Sequence, residues 1–509
     1  MSGRLSRTLT ARAARVVFGT DADAAIAVEL PYITEIDQAH LVMLVARGLV
    51  PRAAAAALLD EIQFLRTSCY VELRGRPAPR GLYLLYESHL IDQLGAEVGG
   101  VLHTGRSRND LKATVHQLRM RAAADEVVRV LLRLQAVLLG RARAHQDTVM
   151  PVYSQFQPSV PGTYGHYLLG VAESLDQDIA GLVRSCAGLR WCPLGAAGGA
   201  GTDIPIDPAR TASLLGFAAP AEHAGYAIAS RDMLVRVLSS AVLAGVTLSR
   251  LATDLQLWST PELDLVAFPD ELVGSSSAMP QKRNPFLLEH LKGGAGALIG
   301  AWTAATCTMK GTPFGNSVEV STDGVAPVWP SMDRLRDLTD LAIAVVAGAR
   351  PRPERMLVAA HHGFTVATAV ANRLVAQGIP FRSAHTATGR LVTELTAEGI
   401  RSFAEVPAAV LSARLSTALD RQVTLTDPDL DPAAVAAATD VGGGPGLSAF
   451  LAAHARLTRR WRHRVHQVAM AARRHESARR RLAGAVAELL DTGPRINGAV
   501  RPGRHRGRP

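Results

Sequence analysis

The sequence predicts an all-α protein organised around long helices. Aromatic residues make up only 5% of the chain while Ala and Leu are abundant, a composition that favours helices over sheet. Apolar residues recur at three- and four-residue steps between Leu234 and Trp258, and a second helical pattern runs from Asp110 to about Gln146 without a proline. No repeated β-type alternation lies between turns, so no sheet domain is expected.

The long helical patterns indicate a bundle. In the segment from Leu234 to Trp258, Val235, Val237 and Leu243 widen the apolar stripe nearly all round, which is typical of a helix enclosed by other helices. The longest uncharged apolar stretch lies between Lys292 and Lys310 and is shorter than the roughly 20 residues that cross a bilayer. We therefore interpret it as a buried bundle helix, and no membrane association is expected.

Proline and glycine clusters divide the chain into four parts. We expect an N-terminal helical domain with a loose basic arm at 1–108 and a central helical bundle at 109–355. A C-terminal helical domain follows at 356–484. The last part, 485–509, is rich in Arg, Gly and Pro towards its end and is predicted to be disordered.

The net charge of +10 is concentrated at one end of the chain. From Arg456 to Pro509 there are 15 Arg, no Lys, two Glu and one Asp, a net +12 that leaves about −2 for the rest. A nucleic-acid function for the whole chain is therefore not supported. The four cysteines show no paired spacing and no secretory signal is evident, so we expect buried free thiols and a cytoplasmic protein. Nothing indicates a metal, nucleotide or flavin cofactor.

Polar residues crowd at the ends of apolar helices in three places. The first segment, 103–110, reads HTGRSRND. Asn109 or Asp110 is a suitable N-cap for the following helix, which would be a purely structural role. That role does not explain why Arg106 and Arg108 flank Ser107, because arginines beside free N–H groups at a helix start form a carboxylate site.

The other two segments are less specific by composition. The second segment, 153–157, is a polar loop entering a helix. The third segment, 274–285, contains a Gly/Ser run followed by Lys282 and Asn284 before an apolar helix that begins near Pro285. A flexible connection with a proline in the first helical turn would explain its outline, but Ser, Lys and Asn together in one loop favour a function.

The third segment resembles the GSSxMPxKxNP signature of the fumarase/aspartase superfamily, with Ser275 where that pattern has Gly. The first segment resembles the argininosuccinate lyase branch, as do the stretches 86–110, 248–262 and 378–385. The resemblance implies a three-domain, all-helical fold and a homotetramer with a core of twenty helices, five from each subunit. It also implies that each active site takes the three segments from three different subunits.

The resemblance further implies a β-elimination that splits the C–N bond of an N-substituted aspartate, a small-molecule substrate, to give fumarate and an amine, or the reverse addition. Ser276 takes the role of base, helped by the charge of Lys282 and by the N-terminus of the following helix. Asn284 and Asn109 would bind the carboxylates, with Arg108 as a cationic clamp. Ser107 is the remaining residue that we expect to bind the substrate in this segment.

Several positions depart from the family pattern. Ser154 and Gln155 stand where the family has a Thr-His pair; Ser154 can still donate a hydrogen bond, but Gln155 cannot shuttle protons. Glu289, which resembles the usual partner of that histidine, is present. The family stretch YNKDLQEDK corresponds to 316–324, called here the amine-side stretch, and its Tyr, Gln and both lysines are absent. An upstream DxH stretch corresponds to 81–83.

The fumarate half of the site is thus retained and the amine half is rebuilt. Argininosuccinate and another N-substituted aspartate both remain open as the substrate. A non-catalytic homologue acting as a binding or structural tetramer is the alternative, and Gln155 is the observation that favours it.

Overall fold

The structure is a computed structural model and describes residues 9–18, 22–78 and 80–491. It is all-α in its layout, and the two long helical patterns of the sequence are both helices. Most of the predicted N-terminal arm before Leu9 and the tail after Asp491 lie outside the described residues.

Nineteen α-helices are present in the described chain. They are α1 (Ala11–Phe18), α2 (Ala22–Ala46), α3 (Arg52–Thr67), α4 (Leu82–Leu94), α5 (Ala96–Gly99), α6 (Arg108–Ala144), α7 (Tyr164–Ser185), α8 (Pro208–Leu214), α9 (Ala224–Ala229), α10 (Asp232–Trp258), α11 (Phe286–Met309), α12 (Val328–Gly348), α13 (Pro353–His361), α14 (Ala367–Ala376), α15 (Phe381–Ala397), α16 (Ala408–Leu419), α17 (Asp427–Leu430), α18 (Pro432–Ala438) and α19 (Leu447–Asp491).

Short helical turns connect several of these helices. The 3₁₀ turns are Val71–Leu73, Gly100–His103, Cys186–Arg190, Asp270–Leu272, His362–Phe364 and Phe403–Glu405, and Glu319–Asp323 is a π-helical turn.

Five long helices, α6, α7, α10, α11 and α12, pack side by side as the central bundle. Their buried faces form most of one apolar core, to which α13 and α19 also contribute. α10 is long and apolar enough to cross a membrane, but half of its most apolar window is buried and it packs against α7 and α11. It is therefore a bundle helix, but Leu243 on its outer face is 59% exposed, so a single chain does not enclose it on all sides as predicted.

Two smaller cores flank the bundle. The N-terminal core joins α2, α3 and α4 to the first turns of α6 and to residues near Cys192. The C-terminal core lies within 364–430.

The last helix does not follow the predicted domain boundaries. α19 buries Phe450 and Leu457 in the bundle core and Leu482, Val486 and Leu489 in the N-terminal core. At 1.5 Å per residue this 45-residue helix spans roughly 68 Å. It therefore belongs to the body of the molecule and not to a separate domain at 356–484, and the first residues of the predicted disordered tail, 485–491, are its last two turns.

Three further expectations need correction. α11 buries only one face in the single chain, because Ile299 and Trp302 are exposed. Cys69 and Cys307 are exposed, although we expected buried thiols. Three two-stranded sheets are present, in the pairs β1 (Val149–Ser154) with β2 (Gln157–Thr163), β3 (Trp191–Cys192) with β4 (Ala219–Pro220), and β5 (Val266–Ala267) with β6 (Arg350–Pro351). The first pair replaces the polar loop expected at the second segment.

Two histidines are buried near the start of α6. His40 donates from Nε2 to the Thr104 carbonyl at 2.8 Å, and the His116 ring lies against Trp329. Burial, reinforced by the charge of Arg106 for His40 and of Arg231 for His116, holds the pKa of each ring well below its usual value of 6.5. Both rings are therefore neutral in the folded protein.

These rings make folding sensitive to mild acid. Below about pH 6.5 unfolded histidine binds a proton that the buried ring does not, so the stability each ring contributes is complete above that pH and is lost as pH falls. At pH 5 each ring lowers the free energy of unfolding by up to about 2 kcal/mol. Denaturant unfolding at pH 7.5 and pH 5 should show a smaller loss for His116→Gln than for the unaltered chain. The exposed His385→Gln is the control; an equal loss in all three proteins would contradict the assignment.

Candidate active site

The first segment forms the start of α6. Ser107 is the N-cap: its hydroxyl accepts the Asn109 N–H at 3.2 Å, and Asp110 returns the bond by accepting the Ser107 N–H at 3.0 Å, which completes a capping box. The expected N-cap at Asn109 or Asp110 is therefore wrong by two or three residues. Because Ser107 takes the cap, the Asn109 side chain is released for another contact.

Asp110 also anchors the Gly-rich stretch 195–201, which follows α7. Its second carboxylate oxygen accepts the N–H groups of Gly195 and Ala197 at 3.0 and 2.9 Å. The beginning of α6 is thus held from both sides, which fixes the direction in which its first turn presents side chains.

The two arginines of the first segment have different roles. Arg106 is buried and donates to Asp37 at 2.6 Å and to the Tyr83 hydroxyl at 3.1 Å. It is therefore not available to a ligand, and our expectation that it forms part of a carboxylate site is wrong. The Arg108 side chain is exposed and forms no ion pair or hydrogen bond with another described residue. Only Arg108 remains a candidate clamp for a substrate carboxylate.

The second segment is the tip of the β1–β2 hairpin. Ser154 pairs with Gln157, and Gln155 and Phe156 form the two-residue turn with φ values of 53° and 62°. Both central residues of such a turn need the left-handed conformation, which is unfavourable for residues other than Gly, Asn and Asp. Conformations of this kind are concentrated at functional sites.

A cavity of about 670 Å³ lies beside this tip. Gln155 lines it together with the carboxylates of Asp254 and Glu262 and the imidazole of His362. The Tyr167 hydroxyl donates to Asp254 at 2.7 Å, and burial raises the pKa of that carboxyl. The hairpin tip therefore lies among polar groups that can exchange protons.

The third segment is an exposed loop with a closed base. Gly274 and Asn284 exchange two backbone hydrogen bonds of 2.8 Å, so the chain between them projects as one unit immediately before α11. Within the loop the Ser276 hydroxyl oxygen accepts the N–H groups of Ala278 at 3.4 Å and Met279 at 3.1 Å. The loop therefore has fixed internal hydrogen bonds and is not merely a flexible connection. Two backbone N–H groups already donate to the serine oxygen.

The charged residues around this loop are open to solvent. Lys282 is exposed, and its side chain has no partner among the described residues. Glu289, on the first turn of α11, accepts a hydrogen bond from Gln256 at 3.2 Å. No hydrogen bond joins it to Gln155 among the described residues. Asn284 donates weakly to the Ser275 carbonyl at 3.5 Å.

A single chain brings only part of these residues together. Asn316 of the amine-side stretch donates to the Asn109 side chain at 3.2 Å, which joins that stretch to the first segment. No hydrogen bond or ion pair connects the first, second and third segments within the described residues. Cavities of about 830 and 860 Å³ lie along α19, and none of the expected site residues lines them.

Sequence reasoning missed Lys112, whose Nζ donates to the Thr322 hydroxyl at 2.6 Å. It follows Arg108 by four residues, so both lie on one face of α6. That spacing was the available signal, but it becomes visible only once the helix is known to begin at Arg108.

Two family models match this chain. The model described as lyase covers residues 84–300, which include all three segments, and the model described as argininosuccinate lyase C-terminal covers residues 364–435. The argininosuccinate lyase of Methanoculleus marisnigri is 35% identical over 82% of this chain and 84% of that protein. The enzyme of the same name from Thermus thermophilus is 37% identical over 71% of this chain and 79% of that protein. The chain belongs to the argininosuccinate lyase family.

Solved structures agree with this membership. A variant of EDDS lyase with bound fumarate matches with a TM-score of 0.85 at 27% identity, over 96% of this chain and 97% of that chain. A 3-carboxy-cis,cis-muconate lactonizing enzyme from Pseudomonas putida matches with a TM-score of 0.69 at 21% identity, over 89% and 98%, and supports the fold alone. The predicted superfamily and fold class are confirmed, and this family member is a carbon–nitrogen lyase.

The different positions of the two arginines give a direct test. Arg106→Met leaves the Asp37 carboxylate buried without its partner and should reduce the free energy of unfolding by about 3–5 kcal/mol. Arg108→Met should leave unfolding unchanged and reduce fumarate formation. Denaturant unfolding and initial rates, measured on both variants, check this. Equal destabilisation by the two substitutions would contradict the structural role of Arg106.

Proposed function

We propose that this lyase eliminates fumarate from an N-substituted aspartate in a homotetramer whose active sites are shared between subunits. The supporting observation is that no hydrogen bond or ion pair joins the three segments within the described part of a single chain. Bundle helices also keep apolar surface in water: Leu243 of α10 is 59% exposed and Ile299 of α11 is 45% exposed. A patch of this kind on a soluble protein marks an interaction surface.

The outer face of α11 is suited to close helix packing. Gly293, Gly296 and Gly300 are exposed, and a Cβ atom added at any of them would meet no neighbour. Small residues allow another helix to approach closely, so the same face of a second subunit can pack there. Assembly around α11 would bring the loop that precedes it towards the hairpin and the start of α6 of other subunits.

Ser276 is proposed as the base that removes the proton next to the substrate carboxylate. A serine hydroxyl is a weak acid, so its alkoxide needs stabilisation. The N–H groups of Ala278 and Met279 supply two donors to that oxygen. Lys282 and the N-terminus of α11 add positive charge to the same region. These groups favour the ionised form of the serine.

The succinyl half is proposed to bind at the start of α6. The Arg108 side chain faces solvent, has no partner among the described residues and lies at the positive N-terminal end of α6. Asn109 and Ser107 flank it, with Ser154 and Asn284 supplied by other subunits. When the base removes the proton, negative charge spreads from the ionised carbon onto the carboxylate next to it, and these donors stabilise that charge where it develops. The C–N bond then breaks, and its electron pair leaves with the nitrogen, which takes up a proton.

The amine half is proposed to differ from that of argininosuccinate. The amine-side stretch lacks the tyrosine, glutamine and two lysines of the family pattern. A lost buried polar contact reduces recognition by about 10² to 10³-fold. Gln155 cannot act as an acid, so the leaving nitrogen would be protonated by another group. We expect Glu289 to lie next to the hairpin tip in the assembled site. We place the enzyme in the cytoplasm.

Fumarate release tests this function directly. The assembled enzyme should convert at least one member of a panel of N-substituted aspartates to fumarate, followed by ultraviolet absorbance, and argininosuccinate should be a poor member. Ser276→Ala should lower the rate about 10² to 10⁴-fold because it removes the base, while the tetramer measured by light scattering persists. Unchanged turnover in that variant would mean that another residue is the base. Absence of fumarate from every compound, in either direction, would favour a non-catalytic homologue.

A further inference from the structure

The cavity of about 830 Å³ lies between α6, α19 and the segment that follows α7, and none of the three polar segments lines it. Its volume is within the range of small-molecule sites, about 300 to 1,000 Å³. α19 packs against α6 and α7, whereas α11 packs against α10 and α12. Assembly of subunits through the exposed face of α11 therefore leaves this cavity open to solvent.

Arginines dominate the polar lining of the cavity. The five lining arginines are Arg121, Arg190, Arg464, Arg474 and Arg481. Among the described residues one carboxylate, Asp125, lines it, and that carboxylate lies 3.5 Å from the His475 ring. Of the five arginines only Arg464 has a carboxylate within 4.0 Å in the described chain, Asp176 at 2.9 Å. Positive charge therefore exceeds negative charge at the cavity wall.

Arg121 is held in that wall by neutral acceptors. Its two terminal nitrogens donate to the carbonyls of Leu215 and Gly216, at 3.0 and 3.1 Å. Burial lowers the pKa of this guanidinium, and Glu35 and Asp125 partly offset that effect from beyond 4.0 Å. Arg121 is thus a fixed cation that no carboxylate contacts directly in the described part of the chain.

Two further arginines of the lining are exposed to solvent. Arg190 lies over the Trp191 ring, with 4.6 Å between its guanidinium carbon and the ring centre, which restricts the orientation of the guanidinium. Arg474, on α19, forms no ion pair or hydrogen bond with another described residue. A guanidinium presents five N–H donors in a planar fork that matches the oxygens of a phosphate. Both side chains are therefore free to bind an anion.

Much of the remaining wall is apolar. Val128, Leu189 and Phe217 contribute to it from buried positions. Burial raises the pKa of the Cys186 thiol to about 12, so this lining group is also uncharged. Inorganic phosphate alone would leave the apolar surface in contact with water, whereas a ligand with an apolar body would cover it.

We propose that this cavity binds an organic phosphate with an aromatic body. A phosphate monoester carries about −1.5 to −2 charges at pH 7 and three strong acceptor oxygens, which suit the excess of arginine over carboxylate. The aromatic body lies against the apolar wall. This site is separate from the proposed site of fumarate formation, and its ligand contacts α6, α19 and the segment after α7 together.

Calorimetric titration of the assembled enzyme with 1-naphthyl phosphate tests the site. In about 0.15 M salt, where diffuse charge attraction is screened, one molecule per chain should bind. Its affinity should be about 10-fold or more above that of 1-naphthol and of inorganic phosphate, because each of these supplies only one half of the ligand. Arg474→Met should weaken binding of 1-naphthyl phosphate about 10-fold, since it removes a charge-assisted contact.

Arg473→Met is the matched control. Arg473 is the neighbour of Arg474 on α19 and carries the same charge, but it does not line the cavity. Both side chains are exposed, so both variants should fold. The control substitution should leave the affinity for 1-naphthyl phosphate unchanged.

Four results would overturn the proposal. The first is no binding of 1-naphthyl phosphate, and the second is equal affinity for 1-naphthol, which would mean that the arginines contribute nothing. Equal losses in Arg473→Met and Arg474→Met would replace the cavity with a diffuse attraction of polyanions to α19. Competitive inhibition of fumarate release that Arg474→Met does not change would place the probe in the active site. Each of these results leaves the proposed lyase function intact, because fumarate formation is measured separately.

Discussion

The ion pair between Arg106 and Asp37 is the constraint on which the first segment depends. Both side chains are completely buried, and their closest atoms are 2.6 Å apart. A buried pair of this kind contributes little net stability against an apolar pair, but it is strongly destabilising to break, because one charge remains buried. It therefore fixes where the chain enters α6. The capping box of Ser107 and Asp110 then fixes the first turn, and Arg108, Asn109 and Lys112 are presented on one face.

The same logic explains why a lyase would build its site from several subunits. Each of the three segments is held rigidly by its own surroundings: α6 by the buried pair, the hairpin by its ladder and the third segment by the bridge between Gly274 and Asn284. The hairpin and α11 keep apolar faces exposed in one chain, with Val152 and Val160 on the hairpin and Ile299 and Trp302 on α11. Burying those faces and assembling the site would be one event, so a disassembled subunit would be inactive without being unfolded.

Much of the fold followed from local pattern, and the errors arose where distant contacts decide. The helices α6 and α10 were predictable because their apolar periodicity is long and uninterrupted. The hairpin was missed because Pro151, Pro158 and Pro161 lie in its strands, and proline normally argues against a strand. The burial of Arg106 could not be foreseen, since its partner Asp37 lies 69 residues away. Ser107, Asn109 and Asp110 are all good caps, so local preference could not choose among them. The hydrogen bond of Lys112 to Thr322 could not be foreseen either, since Thr322 lies 210 residues further along the chain.

Hybrid tetramers test the shared site most directly. Arg108→Met and Ser276→Ala chains, each inactive alone, are denatured, mixed in equal amounts and renatured together, and fumarate release is measured. If each site takes Arg108 and Ser276 from different subunits, random mixing leaves about a quarter of the sites with both native residues, so about a quarter of the activity should return. No recovery, in mixtures shown by mass spectrometry to contain hybrids, would place both residues in one chain and contradict the account.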